Sequence, residues 1–159
     1  MARLGAKIKV VSSSGAREIA ADKFFVTPKD NSSRETALKP NELVTEILIP
    51  HGGTKNATYE VRQKEALDWP LAAASVSLKM SGNTVSSARV VLGAVAPTPW
   101  PAPGAEQALS GKTITPEVAE EAGKAAVIGA KPLTHNAYKV QLARVAVKRA
   151  VLAAAGVRA

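Results

Sequence analysis

Cysteine is absent from all 159 residues, so this chain offers no disulfide, no thiolate for an iron–sulfur cluster and no thiol nucleophile. That absence agrees with a cytoplasmic setting. His51 and His135 are the only histidines, which leaves too few ligands for a zinc or iron centre, and no metal site is expected. Aromatic residues make up 4% of the chain, so a core has to be built from Ala, Val and Leu. No apolar run approaches the length of a membrane span. No long apolar segment follows Met1-Ala2-Arg3-Leu4, so no signal peptide is expected either. The glycine patterns of phosphate loops, dinucleotide folds and nucleophile elbows are missing. Gly52-Gly53 leads into no helical pattern, and without helix amides aimed at a phosphate it reads as a plain turn.

Acid is the last thing in short supply. The formal net charge is +8, and no Asp or Glu follows Glu121. Lys124, Lys131, Lys139, Arg144, Lys148, Arg149 and Arg158 all do. Such a stretch suits a solvated helix face or an acidic protein partner. Nucleic-acid readers add interleaved aromatics or a known motif, and only Tyr138 stands among these cations, so no nucleic-acid partner is expected.

What is present is an apolar content of 46%, enough for a packed core in one ordinary domain, or one domain plus part of another. The second half is organised around Val90-Val91-Leu92-Gly93-Ala94-Val95, a branched run that favours an extended chain. Pro97 and Pro99 stop its pairing because proline donates no hydrogen bond. Ser75 to Met80 alternates cleanly, and Ser81-Gly82-Asn83-Thr84 turns it into a strand over 85–95. Thr58 to Lys64 alternates as a further strand, with His51 to Asn56 as a linker before it. Three antiparallel strands with one apolar face need helices to cover that face. Pro103 to Leu109 supplies a short helix ended by Gly111. Thr115-Pro116-Glu117 starts a second, with a capping hydroxyl, proline at the first helical position and acid at the positive dipole end. It is expected to run to about Gly129. Thr134 or Asn136 caps a last helix that runs to about Ala155. Tyr138, Leu142, Val145, Arg149 and Leu152 share one stripe of that helix, and Val140, Val147 and Val151 another. Two stripes imply packing on two sides, one against the sheet and the other open to a second subunit.

The first fifty residues differ. Lys7 to Val11 and Arg17 to Ala20 make a hairpin around Ser12-Ser13-Ser14-Gly15. Pro28 to Pro40 is a polar loop, and Glu42 to Ile49 is a strand closed by Pro50. These strands are too few to close an independent core and look like part of a larger sheet.

Little here points to catalysis. Glu60, Glu65 and Asp68 are close in sequence, but alternation sends neighbours to opposite faces. Asp68 is better placed to hold its loop by accepting from nearby backbone amides. Tyr59, Trp69 and Trp100 are flat apolar surfaces suited to packing or to stacking on an aromatic cofactor. No catalytic residue is assigned. The residues alone give an α+β domain with a sheet fragment in front.

The run Leu92-Gly93-Ala94-Val95-Ala96-Pro97-Thr98-Pro99-Trp100, followed by Ala105-Glu106 and Leu109-Ser110-Gly111, resembles the FAD-binding (medium) subunit of molybdenum hydroxylases, the xanthine dehydrogenase and carbon monoxide dehydrogenase family. So do Gly129-Ala130-Lys131-Pro132-Leu133, Asn136-Ala137-Tyr138-Lys139-Val140 and Val147-Lys148-Arg149-Ala150. Asp68-Trp69-Pro70-Leu71 with Ala74-Ser75-Val76 looks like the start of the same C-terminal domain. The resemblance implies an antiparallel sheet of three to four strands covered by three helices over 55–159. It implies that 1–54 is the incomplete end of an FAD-binding domain, with Phe24-Phe25, Leu38 to Val44 and Ile47 to Pro50 as its last strands. The family's phosphate-binding glycine loops would lie upstream. The resemblance also places Val44 against the flavin ring and Tyr59 near one of its faces, with Phe25 packing in the same region. Where many relatives carry a lysine two residues after that tyrosine, this chain has Val61.

The implied function is a partial electron-transfer subunit that binds FAD in a shared or incomplete site. In such enzymes, substrate is hydroxylated at a molybdopterin large subunit, electrons cross an iron–sulfur small subunit, and FAD passes them to NAD or another acceptor. A further chain carrying the missing FAD-binding half belongs among the implied partners. The alternative is a non-catalytic docking module that binds no FAD by itself.

Overall fold

The computed structural model describes residues 5–50, 52–64 and 67–158. The turn expected at His51, the role weighed for Glu65 and the segment Met1 to Leu4 lie outside the described residues. The chain forms two compact units, Met1–Gly52 with Pro97–Pro99, and Gly53–Ala96 with Trp100–Ala159.

In the first unit, alternation makes the sheet. Strand β1 (Lys7–Ser12) pairs antiparallel with β2 (Gly15–Ala20) on one side and with β3 (Leu43–Leu48) on the other. Ile8 and Val10 turn inward, while Lys7 and Lys9 reach across to Glu18 and Glu46 at 2.7 and 2.6 Å. The expectation that these strands close no core is corrected in part: Ala6, Ile8, Val10, Ile19, Ala21 and Phe24 form one small buried cluster. β3 adds nothing to it, because every residue of β3 is exposed. Arg17 grips Glu42 just ahead of β3 with two hydrogen bonds of 2.7 and 2.8 Å, and the Lys39 amide donates to the same carboxylate. The Arg17 guanidinium, then that amide, hold the Glu42 carboxyl down at about 2.

The second unit is a four-stranded antiparallel sheet in the order β4 (Lys55–Val61), β5 (Ala72–Ser81), β6 (Thr84–Gly93), β7 (Trp100–Pro101). Gly82, at φ +57°, turns β5 into β6. One face carries Ala72, Ala74, Val76, Leu78, Val85, Ala88, Val90 and Leu92, all buried. Over it lie α1 (Pro103–Leu109), α2 (Pro116–Ala126) and α3 (Tyr138–Ala155). The α+β architecture, with three helices on one antiparallel sheet, is therefore the one the sequence implied. Thr115 caps α2 by accepting from the Val118 amide at 3.3 Å, and Pro116 occupies the first turn. Small residues set how closely the helices approach. A Cβ on Gly123 would stand 2.6 Å from the Arg144 carbonyl oxygen of α3, and one on Gly104 of α1 2.8 Å from that of Ala125 in α2.

Element limits depart from the sequence reading, most clearly at β4, β6, α2 and α3. β4 takes in Lys55 and Asn56, assigned above to a linker, and ends at Val61 rather than Lys64, because its register on β5 runs from Leu78 to Ala72. β6 leaves the sheet after Gly93, where Ala94 turns left-handed at φ +59°, so the strand stops short of Val95. α2 closes at Ala126 and a turn with Gly129 at φ +81° follows. Neither Thr134 nor Asn136 caps α3: Asn136 instead accepts from the Leu133 amide at 2.6 Å and closes the preceding turn. The buried seam of α3 is Ala143, Ala146, Val147, Ala150, Val151, Leu152 and Ala154. Its two packed sides meet the sheet and α2, where a second subunit had been expected on one of them.

Candidate functional site

β4 is an edge strand, and alternation along it turns Ala57, Tyr59 and Val61 toward the helix-covered core. Tyr59 is half-buried there, opposite Ala74. Its hydroxyl accepts a hydrogen bond from the Arg149 guanidinium of α3, whose central carbon lies 5.1 Å from the ring centroid. A cation at this distance is attracted to the ring as well as to the oxygen, so the ring is held from one end. The sequence reading placed Arg149 within an apolar stripe. A charge in such a stripe is the signal that it has a partner, although ninety residues separate it from Tyr59.

Val44 and Phe25 belong to the first unit. Val44 sits on β3 beside Val10 and is 42% exposed. Phe25 is 46% exposed, forms a bridge with Thr36, and stands edge-on to the buried Phe24 at 5.1 Å. Both present apolar surface to the outside. Asp68 accepts from the Lys64 amide at 3.1 Å, as its position suggested, and Glu60 pairs with Arg62. These carboxylates thus have structural partners. Trp69 and Trp100 are exposed rather than packed in the core. His135 is an exposed turn residue. Among the described residues no group of acids and histidines is placed to hold a metal ion.

Carboxylates elsewhere in the second unit brace its helices. Glu120 of α2 takes hydrogen bonds from Arg144 and an ion pair at 3.0 Å from Lys148, both on α3, and these cations lower its pKa. Glu106 of α1 accepts from the Val90 amide at 3.1 Å and pairs with Arg89. Neither brace was anticipated from the sequence, because the partners lie 16 or more residues away.

Two concavities among the described residues of this unit bear on the site. One is an open depression of about 680 Å³ along the end of β4 and the segment after it, Thr58 to Lys64. The other is a groove of about 460 Å³ where the end of β6, the turn after α2 and the start of α3 converge. Leu92, Ala126 and Ala143 floor it, and Trp100, Ile128, Lys131 and Lys139 stand around it.

The family profile described as the CO dehydrogenase flavoprotein C-terminal domain matches residues 57–154. The chain belongs to that family. The match spans the sheet and all three helices, from Tyr59 of β4 to Arg149 of α3. The carbon monoxide dehydrogenase medium chain of Hydrogenophaga pseudoflava is 38% identical over 146 residues, covering 88% of this chain and 49% of that one. The nicotine 6-hydroxylase medium subunit of Paenarthrobacter nicotinovorans is 31% identical, covering 83% of this chain and 44% of that subunit. The crystal structure of quinoline 2-oxidoreductase from Pseudomonas putida 86 superposes with a TM-score of 0.86 at 29% identity, over 98% of this chain and 54% of that one. The chain therefore spans about half the length of these relatives. It carries the C-terminal part of a molybdenum hydroxylase medium subunit.

Taken unit by unit, the side chains named for a flavin ring are of a kind that suits an apolar planar group. Tyr59 is ordered by Arg149, and Val44 and Phe25 are apolar and exposed. Pyrophosphate contacts are another matter. Gly52-Gly53 leads into β4 rather than into a helix, and no described glycine-rich turn aims helix amides outward.

Proposed function

We propose that this chain is part of a flavin electron-transfer subunit of a molybdenum hydroxylase. The observation that carries this reading is the family match over 57–154, together with the superposition of 98% of the chain on the quinoline 2-oxidoreductase structure at a TM-score of 0.86. FAD, when bound, supplies the two-electron relay between the iron–sulfur centres and an outside acceptor. The chain's residues order its surroundings. Tyr59, braced by Arg149, offers a ring to one face of the flavin, and Val44 and Phe25 offer apolar surface that excludes water. Contacts to the pyrophosphate come from the remaining half of the relatives' length. An iron–sulfur small subunit and a molybdopterin large subunit are the partners, NAD or another small oxidant is the acceptor, and the cytoplasm is the compartment. No helix among the described residues is long and apolar enough to cross a membrane.

The test is gel filtration of the chain purified from its native host, monitored at flavin and protein wavelengths. FAD is expected to travel with the chain only when the polypeptide supplying the missing half travels too. Tyr59→Ala in that assembly is expected to change the flavin spectrum. An assembly without flavin would leave the second reading, a docking module that binds no FAD.

A further inference from the structure

The groove between β6, α2 and α3 is the feature that the flavin reading does not use. Its floor is apolar, and its rim leaves large apolar side chains in water: Trp100 is 55% exposed and Ile128 84%. Leu133 and Tyr138, just outside the lining, are exposed as well, so the apolar patch is wider than the groove. An exposed apolar patch marks an interaction surface, and one that extends beyond its own cavity and is rimmed by polar groups suits a protein segment better than a small molecule. The charges agree. Among the described residues no acid lines the groove, and neither Lys131 nor Lys139 pairs with a carboxylate. Lys139 instead donates to the carbonyl of Ala94 at 3.0 Å, which fixes the left-handed corner beside the groove.

We infer that this groove receives a segment of a neighbouring subunit, one that presents an apolar side chain flanked by carboxylates. The apolar side chain fills the space over Leu92, Ala126 and Ala143 and stacks on Trp100. The carboxylates meet Lys131 and Lys139. The inference rests on the reading of the chain as one subunit of a larger assembly, and it names the surface where that assembly closes.

The experiment compares the free chain with the complex purified from the native host, with every modification read by mass spectrometry on peptides of this chain. Acetylation of Lys131 and Lys139 by a water-soluble acetylating reagent is expected to slow at least fivefold in the complex, with hydroxyl-radical oxidation of Trp100 reduced in parallel. Ile128→Asp is expected to weaken assembly at least tenfold with unchanged circular dichroism, because that side chain projects into solvent. Lys131→Glu is expected to weaken it about fivefold at low salt and less as screening rises. If the complex forms while both lysines and Trp100 stay as reactive as in the free chain, the groove is not the contact and the flavin reading survives. Equal protection in a homo-oligomer of the free chain would assign the groove to a second copy and overturn the inference. Absence of any complex overturns both.

Discussion

The two units of this chain treat their apolar residues in opposite ways. The larger one lays three helices over one face of its sheet and buries a continuous cluster from Ala72 to Ala154. The smaller one buries six of its described residues and leaves Leu43, Val44, Ile47, Leu48 and Ile49 in solvent. Both sheets are antiparallel, so secondary structure does not explain the contrast. The difference lies in cover. Helices α1 to α3 remove the second unit's apolar face from water, which is the dominant stabilising term in folding. Nothing described does the same for β3. Folding strength should therefore be concentrated in the second unit, and that can be tested directly.

The largest effect belongs to its centre. Leu78→Ala removes a fully buried side chain from β5 and should cost about 2–5 kcal/mol in chemical denaturation. Leu43→Ala in β3, where the side chain is 74% exposed, should fall within about 0.5 kcal/mol of zero. Similar losses from the two would break the comparison. Next come the helix contacts. Gly123→Ala drives a Cβ to 2.6 Å from a backbone oxygen and should cost about 1–3 kcal/mol, read as a lower thermal midpoint. At Gly93 the added Cβ would meet Ala73 at an ordinary 3.5 Å, so Gly93→Ala should cost much less.

A smaller effect is set by pH. The folded pKa of Glu42 is about 2, against an ordinary 4.5, so its contribution is complete above pH 4.5 and is lost as pH falls toward 2. Amide protection in β1 and β3, taken as the observed rate against the intrinsic rate at each pH, should therefore fall over that interval, and Glu42→Gln should remove the dependence. Exchange in β5 should not follow that substitution. A modest effect is expected at Arg149→Met, which trades the ring and hydroxyl contacts of Tyr59 for a flexible apolar chain. A loss of about 0.5–1 kcal/mol, with a change in the Tyr59 ring resonances, would confirm the brace.

Much of the fold was legible because its signals are local. The hydroxyl, proline and acid of Thr115-Pro116-Glu117 act within one turn, and α2 begins where they say. Gly82 turns the central hairpin for reasons internal to that turn. The start of α3 was misread because Asn136 has two uses for its side-chain oxygen, and the preceding turn takes it. Lys55 and Asn56 look like linker residues, yet pairing with β5 makes them strand, so tertiary context decides there. The braces at Tyr59, Glu106 and Glu120 join residues far apart in the chain, and periodicity carries no information about such pairs. The groove was invisible for the same reason, being assembled from three separate segments. Val44 and Phe25 came forward through family resemblance, which also set Tyr59 apart from Trp69 and Trp100 as a flavin neighbour, since nothing in their spacing marks them for a cofactor.

β3 also governs how the chain behaves at the bench. It is an outer strand of its sheet with Leu43, Val44, Ile47 and Leu48 in solvent, and a strand edge of that kind templates pairing with whatever extended polypeptide reaches it first. The usable concentration of the isolated chain is then limited by this short element rather than by the melting of the larger unit. Turbidity in stored samples should yield to a lysine at Ile47 sooner than to any improvement of the helical layer.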